Sequence, residues 1–240
     1  MTYKHGKDTV VLFDGYNLSA YFNEATFAVD VETAETTAFG SSAKTYIVGL
    51  KDGTASVSGM FDGVAAGVDA VLSNVLGASD SDVVTFAVDG GIAKGNRCGL
   101  LQAKTTSYEV SSPVGDVVAT SADFQADGGI DMGFFVDATA TKTATATQAT
   151  SLDNTVSSAN GGVANLHVTA NTLNNSAVFV LQHSSDNSTF ADYITFATTA
   201  TGTVEGQRVS ATGTVNRYTR TKLTTAGTGS ITFTIGFARR

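Results

Sequence analysis

Residues 54–62 read "TASVSGMFD" and residues 27–32 read "FAVDVE". Both alternate with a period of two, the signature of a half-buried strand. In the first, Thr54, Ser56, Ser58 and Met60 face one way, and Ala55, Val57 and Phe61 face the other. In the second, Phe27, Val29 and Val31 alternate with Ala28, Asp30 and Glu32. The two stretches therefore read as the returning and outgoing arms of one long hairpin. One face carries hydroxyls and carboxylates; the other carries Phe27, Val29, Val31, Val57 and Phe61, which are expected to pack on a helix just downstream. Between the arms lies a small, polar excursion over 33–53, and a loop of that length inside a compact domain is usually functional or mobile.

The helix is expected in "DGVAAGVDAVLSNVLG", residues 62–77. Val64, Val68, Val71, Leu72 and Val75 fall on one helical face, with Asp62 placed to cap the start and Gly77 to end it. Strand patterns then return, separated by turn glycines, with "DGG" at 89–91 and 127–129. This spacing argues for a sandwich or barrel-like sheet. Residues 139–162 are low in complexity, opening with Thr/Ala alternation, and read as an interdomain linker. Beyond them, "SITFTIGFAR" sets Ile231, Phe233, Ile235 and Phe237 against Thr232, Thr234 and Gly236, and the remaining length suffices for a second β-sandwich of immunoglobulin size. The expected fold is mainly β: a first domain over 1–142 with one short helix and a long hairpin loop, a Thr/Ala/Ser-rich linker over 143–162, and a C-terminal β-sandwich over 163–240.

Composition supports a structural reading. Of 240 residues only 15% are charged, well under the usual quarter, and Thr, Ser, Ala and Gly take their place. The net charge of -8 is unevenly spread. Residues 1–142 hold 18 Asp and Glu against 8 Lys and Arg, whereas residues 143–240 hold 4 against 6. An acidic half has the wrong sign for gripping a phosphate backbone; it suits a surface that nucleic acid must pass without sticking. Cys98 is the one cysteine, so no intrachain disulfide forms. The first ten residues have no apolar run of a secretory signal, and no stretch nears the ~18 apolar residues of a spanning helix, so a soluble chain made in the cytosol, without membrane insertion, is expected.

Catalytic and metal signatures do not assemble. His5, His167 and His183 are scattered, outside any Cys/His spacing suited to zinc. His183 stands near Ser184 and Asp186, but no G-x-S-x-G surrounds them, and His167 reads as a surface or half-buried strand residue. Residues 80–82 and 127–131 do not match an EF-hand loop. "DGGIAKGNRCG", with Lys94 and Arg97, lacks the G-K-[ST] ending of a phosphate loop. The expectation is a non-enzyme without cofactor or metal.

The order of strand, long loop, returning strand, helix and further strands is carried by "FAVDVETAETTAFG" (27–40) and "YIVGLKDGTASVSGMFD" (46–62). It resembles the tail tube (major tail) proteins of long-tailed, siphovirus-like bacteriophages. "VLQHSSDNSTFADYITF" (180–196), "GTVNRYTR" (213–220) and "ITFTIGFAR" (231–239) are similar to immunoglobulin-like domains appended to phage tail and virion proteins. The resemblance implies a virion structural protein, synthesised in the host cytoplasm, that forms hexameric rings by joining hairpins edge to edge and stacks them into a tail tube. It further implies tape-measure and tail terminator or tip proteins as partners, and double-stranded DNA passing an acidic, non-adhesive lumen. On this reading Asp30, Glu32, Thr54, Ser56 and Ser58 line the lumen, while Glu35, Phe39, Lys44, Tyr46 and Lys51 belong to a ring-stacking loop. The C-terminal domain would decorate the outside, with Arg208, Arg217, Arg220, Arg239 and Arg240 available to acidic host surface glycans or to a neighbour's acidic domain. The alternatives are a capsid decoration protein, or a carbohydrate-binding or adhesion module using Tyr193, Tyr218 and Phe190.

Overall fold

The structure is a computed structural model that describes residues 3–225 and 227–240. The chain is mainly β, with 53% of it in strands and one α-helix among the described residues. In chain order the strands are β1 (Val10–Phe13), β2 (Tyr16–Asn17), β3 (Phe22–Glu35) and β4 (Tyr46–Met60); then helix α1 (Val68–Val75); then β5 (Asp82–Ala87), β6 (Arg97–Ser111), β7 (Ala119–Ala126) and β8 (Asp131–Phe135). Three short strands come next, β9 (Ala140–Lys142), β10 (Ala146–Thr147) and β11 (Leu152–Asp153). The chain closes with β12 (Gly162–Asn171), β13 (Ala177–Ser184), β14 (Ala191–Thr195), β15 (Glu205–Ala211), β16 (Tyr218–Thr225) and β17 (Ile231–Arg239).

β3 and β4 form the expected antiparallel hairpin, with Thr26 opposite Ser56 and Asp30 opposite Asp52. β4 also pairs with β7 over Thr54 to Met60, and β7 pairs with the second half of β6. This gives a four-stranded antiparallel slab in the order β3, β4, β7, β6. The core face of the slab buries Ala55, Val57, Ala122 and Phe124 with Val68, Val71 and Leu72 of α1, and with Phe13 and Phe86 below. Phe27 reaches the same core, its ring centroid 5.5 Å from that of Phe86.

The excursion over 33–53 is shorter than the sequence suggests. Strand pairing continues to Glu35 opposite Tyr46, through an irregularity between Val31 and Thr33, so only 36–45 connect the arms. Beyond Gly53 β4 has lost its β7 partner, and the two arms project as a bare ribbon. Val29 and Val31 therefore do not pack on the helix; they remain 43% and 44% exposed, because no layer lies under this part of the hairpin. The "LKDG" at the end of that excursion is strand, and its glycine answers to packing: a Cβ on Gly53 would lie 2.7 Å from Ile130 Cγ1.

The helix begins later than expected. Its N-cap is Gly67, which offers no side-chain cap, while the Asp62 carboxylate accepts from the Val64 amide in a turn ahead of the helix. Val64 thus lies outside the helix and stays 56% exposed. Gly77 does close it, with φ of +75°.

The last third forms a two-sheet sandwich. β15, β12 and β17 pack against β14, β13 and β16, with β10 and β11 beside β16. The core between the sheets includes Leu166, Phe179, Leu181, Ile194, Phe233 and Ile235. Residues 143–162, expected as a linker, run along this sandwich: β10 and β11 pair with β16. Gln148 is buried there, donating to the Val136 carbonyl and accepting from the Thr221 amide. The first sheet continues past that stretch, because β17 pairs with β8 on one side and β12 on the other.

Candidate assembly surface

Register places Thr54, Ser56 and Ser58 on one side of the slab and Asp30 on the same side of the ribbon that continues it, with Glu32 following Asp30 by alternation along β3. Glu24, Thr26, Ala28 and Asp30 of β3 oppose Ser58, Ser56, Thr54 and Asp52 of β4. Ser56 then opposes Asp123, and Ser58 opposes Ser121. Those two in turn oppose Ser107 and Glu109 of β6. Asp30, Glu32, Thr54, Ser56 and Ser58 therefore share the face turned away from α1. Sequence reasoning missed Glu24 and Asp52, which alternate in step with the expected residues along β3 and β4, and Glu109 and Asp123, which enter the face only through pairing with strands distant in sequence. With them the face holds six carboxylates, set among Thr26, Thr54, Ser56, Ser58, Ser107 and Ser121. Lys104, opposite Gln125, lies at its margin and donates to the Ser79 carbonyl.

The hydroxyls and amides order this face rather than leaving it loose. Ser107 donates to Asp123 at 2.7 Å, and Gln125 donates to Asp52 at 2.6 Å. Asp30 stands directly opposite Asp52. Like charges in that position cost stability, so the acidity of the face works against the fold of an isolated chain.

The slab has two open edges. β3 pairs only with β4. On β6, the edge that holds β5 up to Ala103 carries no strand over residues 104–111 among the described residues. Unpaired edges of this length are a template for another strand.

Of the expected stacking residues, Glu35, Tyr46 and Lys51 sit on the ribbon strands, and Phe39 and Lys44 sit in the 36–45 connection. Lys44 and Glu35 form an exposed ion pair at 3.0 Å. Phe39, Tyr46, Ile47, Val48 and Leu50 are all exposed around them. At the opposite end of the slab, Met60, Val110, Val114 and Val117 are exposed too. Both ends of the slab are thus apolar.

The C-terminal arginines are largely engaged. Arg208 binds Asp131 at 2.5 Å, with its side chain 8% exposed, and Arg240 joins the same carboxylate at 3.0 Å. Arg217 forms a two-point pair with Asp153, which holds that carboxyl down at about 2. Arg239 donates to the carbonyls of Val156 and Asn216. Arg220 lies 3.8 Å over the Phe190 ring and donates to Gln182. The free basic patch expected from composition is therefore reduced to partnered guanidiniums. Tyr193 is no exposed platform either: it stacks on His183 at 4.7 Å and donates to the Ala211 carbonyl.

Ser184 donates to Asp186, not to His183, whose Nδ1 accepts from the Asn216 amide. His167 is buried, not surface-facing: Nδ1 accepts from the Gly15 amide at 3.2 Å and Nε2 meets Thr85 Oγ1 at 2.9 Å. Desolvation drives its pKa down to about 3. Burial likewise pushes the Cys98 thiol up to about 12. Among the described residues no group of three His, Cys, Asp or Glu is placed to hold a metal ion, and no helix is long and apolar enough to cross a membrane.

No protein-family model matches this chain, and no curated protein matches it. Among solved structures it is similar to a chain of the virion of a native gene transfer agent particle, with a TM-score of 0.46, 12% identity, and coverage of 54% of this chain and 98% of that one. It is similar to a chain of the tail of an empty gene transfer agent particle of C6 symmetry, with a TM-score of 0.44 at 13% identity, covering 53% and 97%. The SPP1 Dit protein, described as a paradigm of the hub adsorption apparatus in phages infecting Gram-positive hosts, matches over 94% of this chain and 98% of its own, with a TM-score of 0.39 at 14% identity.

Proposed function

We propose that this chain is a structural subunit of a phage-type tail, and that it closes into rings which stack as a tube around a DNA passage. The observation that carries this reading is the slab, with four alternating strands, two open edges and one acidic hydroxylated face. Because β3, β4, β7 and β6 alternate in direction, β3 of one copy runs antiparallel to β6 of the next in any cyclic arrangement. Rotation alone then gives a closed, wholly antiparallel barrel, which removes every edge. Six copies bring four strands each. At about 4.8 Å between strands and about 40° of tilt, the backbone circle is roughly 48 Å across, wide enough for a duplex. The acidic face turns inward, where Asp30, Glu32, Asp52 and their neighbours repel the phosphate backbone and the small hydroxyls keep the bore open.

Stacking uses the two apolar ends. The ribbon with Phe39, Tyr46, Ile47, Val48 and Leu50 of one ring meets the end with Met60, Val110, Val114 and Val117 of the next. Such a head-to-tail contact does not close on itself and so propagates. The sandwich of β12 to β17 lies outside the barrel, where it can meet host glycans or neighbours. A tape-measure protein in the bore and terminator and tip proteins at the ends complete the assembly. The test is negative-stain electron microscopy of the purified chain before and after concentration. Rings or hollow tubes are expected. Deleting residues 38–44 should leave a folded subunit that forms no tubes. Tubes formed by the deletion variant would remove the stacking role, and globular monomers from the intact chain at every concentration would count against the tube.

A further inference from the structure

The β1–β2 turn is wedged between the two halves of the molecule. Asp14 adopts a φ of +43° and Gly15 a φ of +85°. A Cβ on Gly15 would lie 2.4 Å from the Val168 carbonyl and 2.7 Å from the Glu205 amide, so only glycine lets the turn seat against β12 and the start of β15. The Asp14 carboxylate accepts from the Val83 amide at 2.8 Å, and the Asp14 amide donates to the Val83 carbonyl at 2.9 Å. Asp14 Oδ1 also lies against Gly206 of β15, where a Cβ would stand 2.7 Å away.

Beside it is Asp82, 8% exposed, with its Oδ2 buried and unmatched by any donor. Among the described residues no cation sits between the two carboxyls. Lys104 on β6 sends its ammonium to Ser79; it and Thr105 favour the ionised form of Asp82, but less than burial and Asp14 oppose it, and Arg208 on β15 is committed to Asp131 and Asn165. The other titratable groups around this cleft are Tyr16 on β2, Asp80 ahead of β5 and Glu205 on β15, with His167 on β12 behind the turn, its Nδ1 accepting from the Gly15 amide and its pKa held down by burial. Asp14 and Asp82 line one cleft, and two neighbouring carboxyl groups in such a place disfavour double ionisation.

We propose that the Asp14–Asp82 pair is a proton-operated latch: with its shared proton it seats the β1–β2 turn between β5 and β15, and loss of that proton unseats the turn and frees the start of β15. The elevation of Asp82 to about 7, caused by burial and by Asp14, places the release near neutral pH. Asp14 is raised as well, by burial first. The latch belongs to the single subunit and operates whether or not rings form.

Hydrogen exchange by mass spectrometry on the full-length monomer, corrected for intrinsic rates, between pH 5.5 and 8.5 tests it. Opening coupled to loss of one proton rises by up to about tenfold per pH unit below the pair's midpoint and levels off above it. Peptides covering 10–18 and 203–211 should lose protection in this way, while peptides of β13 and β16 do not. Asp82→Asn keeps the shape and donates to Asp14 permanently, so its exchange in the same peptides should be flat with pH. Asp14→Asn, which suits the left-handed conformation, gives the same comparison should Asp82→Asn fail to fold. A flat profile in the unaltered chain overturns the latch, as does an unchanged pH dependence in a folded variant.

Discussion

At the scale of single residues, His167 and Asp82 oppose each other across one seam. The imidazole accepts from Gly15 at Nδ1, which leaves its proton on Nε2 to be donated to Thr85. Its pKa is lowered to about 3 by burial, so its contribution to stability is complete above about 6.5 and is lost as pH falls through the window from 6.5 toward 3. Asp82 has the reverse sign. Raised from 3.8 to about 7, it favours the fold at low pH and loses that contribution as pH rises through the same window. Each slope is about 1.4 kcal/mol per pH unit at most, and over their overlap the two cancel. Asp82→Asn should expose the histidine, giving a chain that loses more stability than the unaltered one when acidified from pH 6.5 to 4.5. Urea midpoints at the two pH values measure this, and parallel slopes for the two chains would remove the compensation. The partnered charges carry a second expectation. Arg208 is almost wholly buried against Asp131, so Arg208→Ala should cost about 3–5 kcal/mol. Lys44→Ala breaks an exposed pair and should change stability by under about 1 kcal/mol. Thermal melts compare the two.

At the scale of elements, what the sequence made legible was local alternation and what it hid was register. The period of two in 27–32 and 54–58 placed both hairpin arms and the buried sides of Phe27, Ala55 and Val57, because one face of a paired strand must meet a core, but it extended that core to Val29 and Val31, which stay exposed. The apolar spacing likewise found α1, but it continued to Val64, since a valine one turn upstream keeps the same period whether or not the chain is helical there. Leu72 is fully buried and Val64 is not. Leu72→Ala should therefore cost about 2–4 kcal/mol, and Val64→Ala should stay within about 0.5 kcal/mol; equal losses would mean that the helix extends to the earlier position. The ribbon escaped detection for a different reason. Residues 33–35 and 46–52 have no core beneath them, so no hydrophobic alternation marks them. Two of the six carboxylates on the open face, Glu109 and Asp123, were invisible in sequence because β4 meets β7 some sixty residues later, whereas Glu24 and Asp52 follow the same alternation along β3 and β4 as the residues that were found. His167 looked like an ordinary strand residue because its burial comes from Gly15 and Thr85, distant in the chain.

At the scale of the whole molecule, the two halves are one folding problem. A tube domain with a separately folded appendage would keep its hydrogen bonds and core on its own side of residue 142. Here β8 lies inside its sheet because β17 pairs with it at Phe134 and Phe135 while β6 pairs on its other side. Cys98, Leu100 and Phe135 are buried against Val163 and Ala238. Asn165 reaches across to the carbonyls of Val84 and Leu101 and to Thr85, and Gly236 is packed within 2.7 Å of Leu100 Cδ2 for any added Cβ. Removing residues 143–240 would uncover that apolar layer, leave the Val84 and Leu101 carbonyls without Asn165, and open a new strand edge at β8. Each of these losses costs on the order of 1–3 kcal/mol, which together match the whole stability of a typical domain. The segment 1–142 expressed alone should therefore be insoluble or lack a cooperative melt, and the full chain should unfold in one calorimetric transition that includes both halves. Two separated transitions in the full chain, or a soluble 1–142 segment with a sharp melt of its own, would mean that the sandwich is an appendage on an independent slab. A single transition would place the slab strands and the sandwich under one cooperative constraint. Force or charge applied to the sandwich would then reach the strands proposed to line the bore.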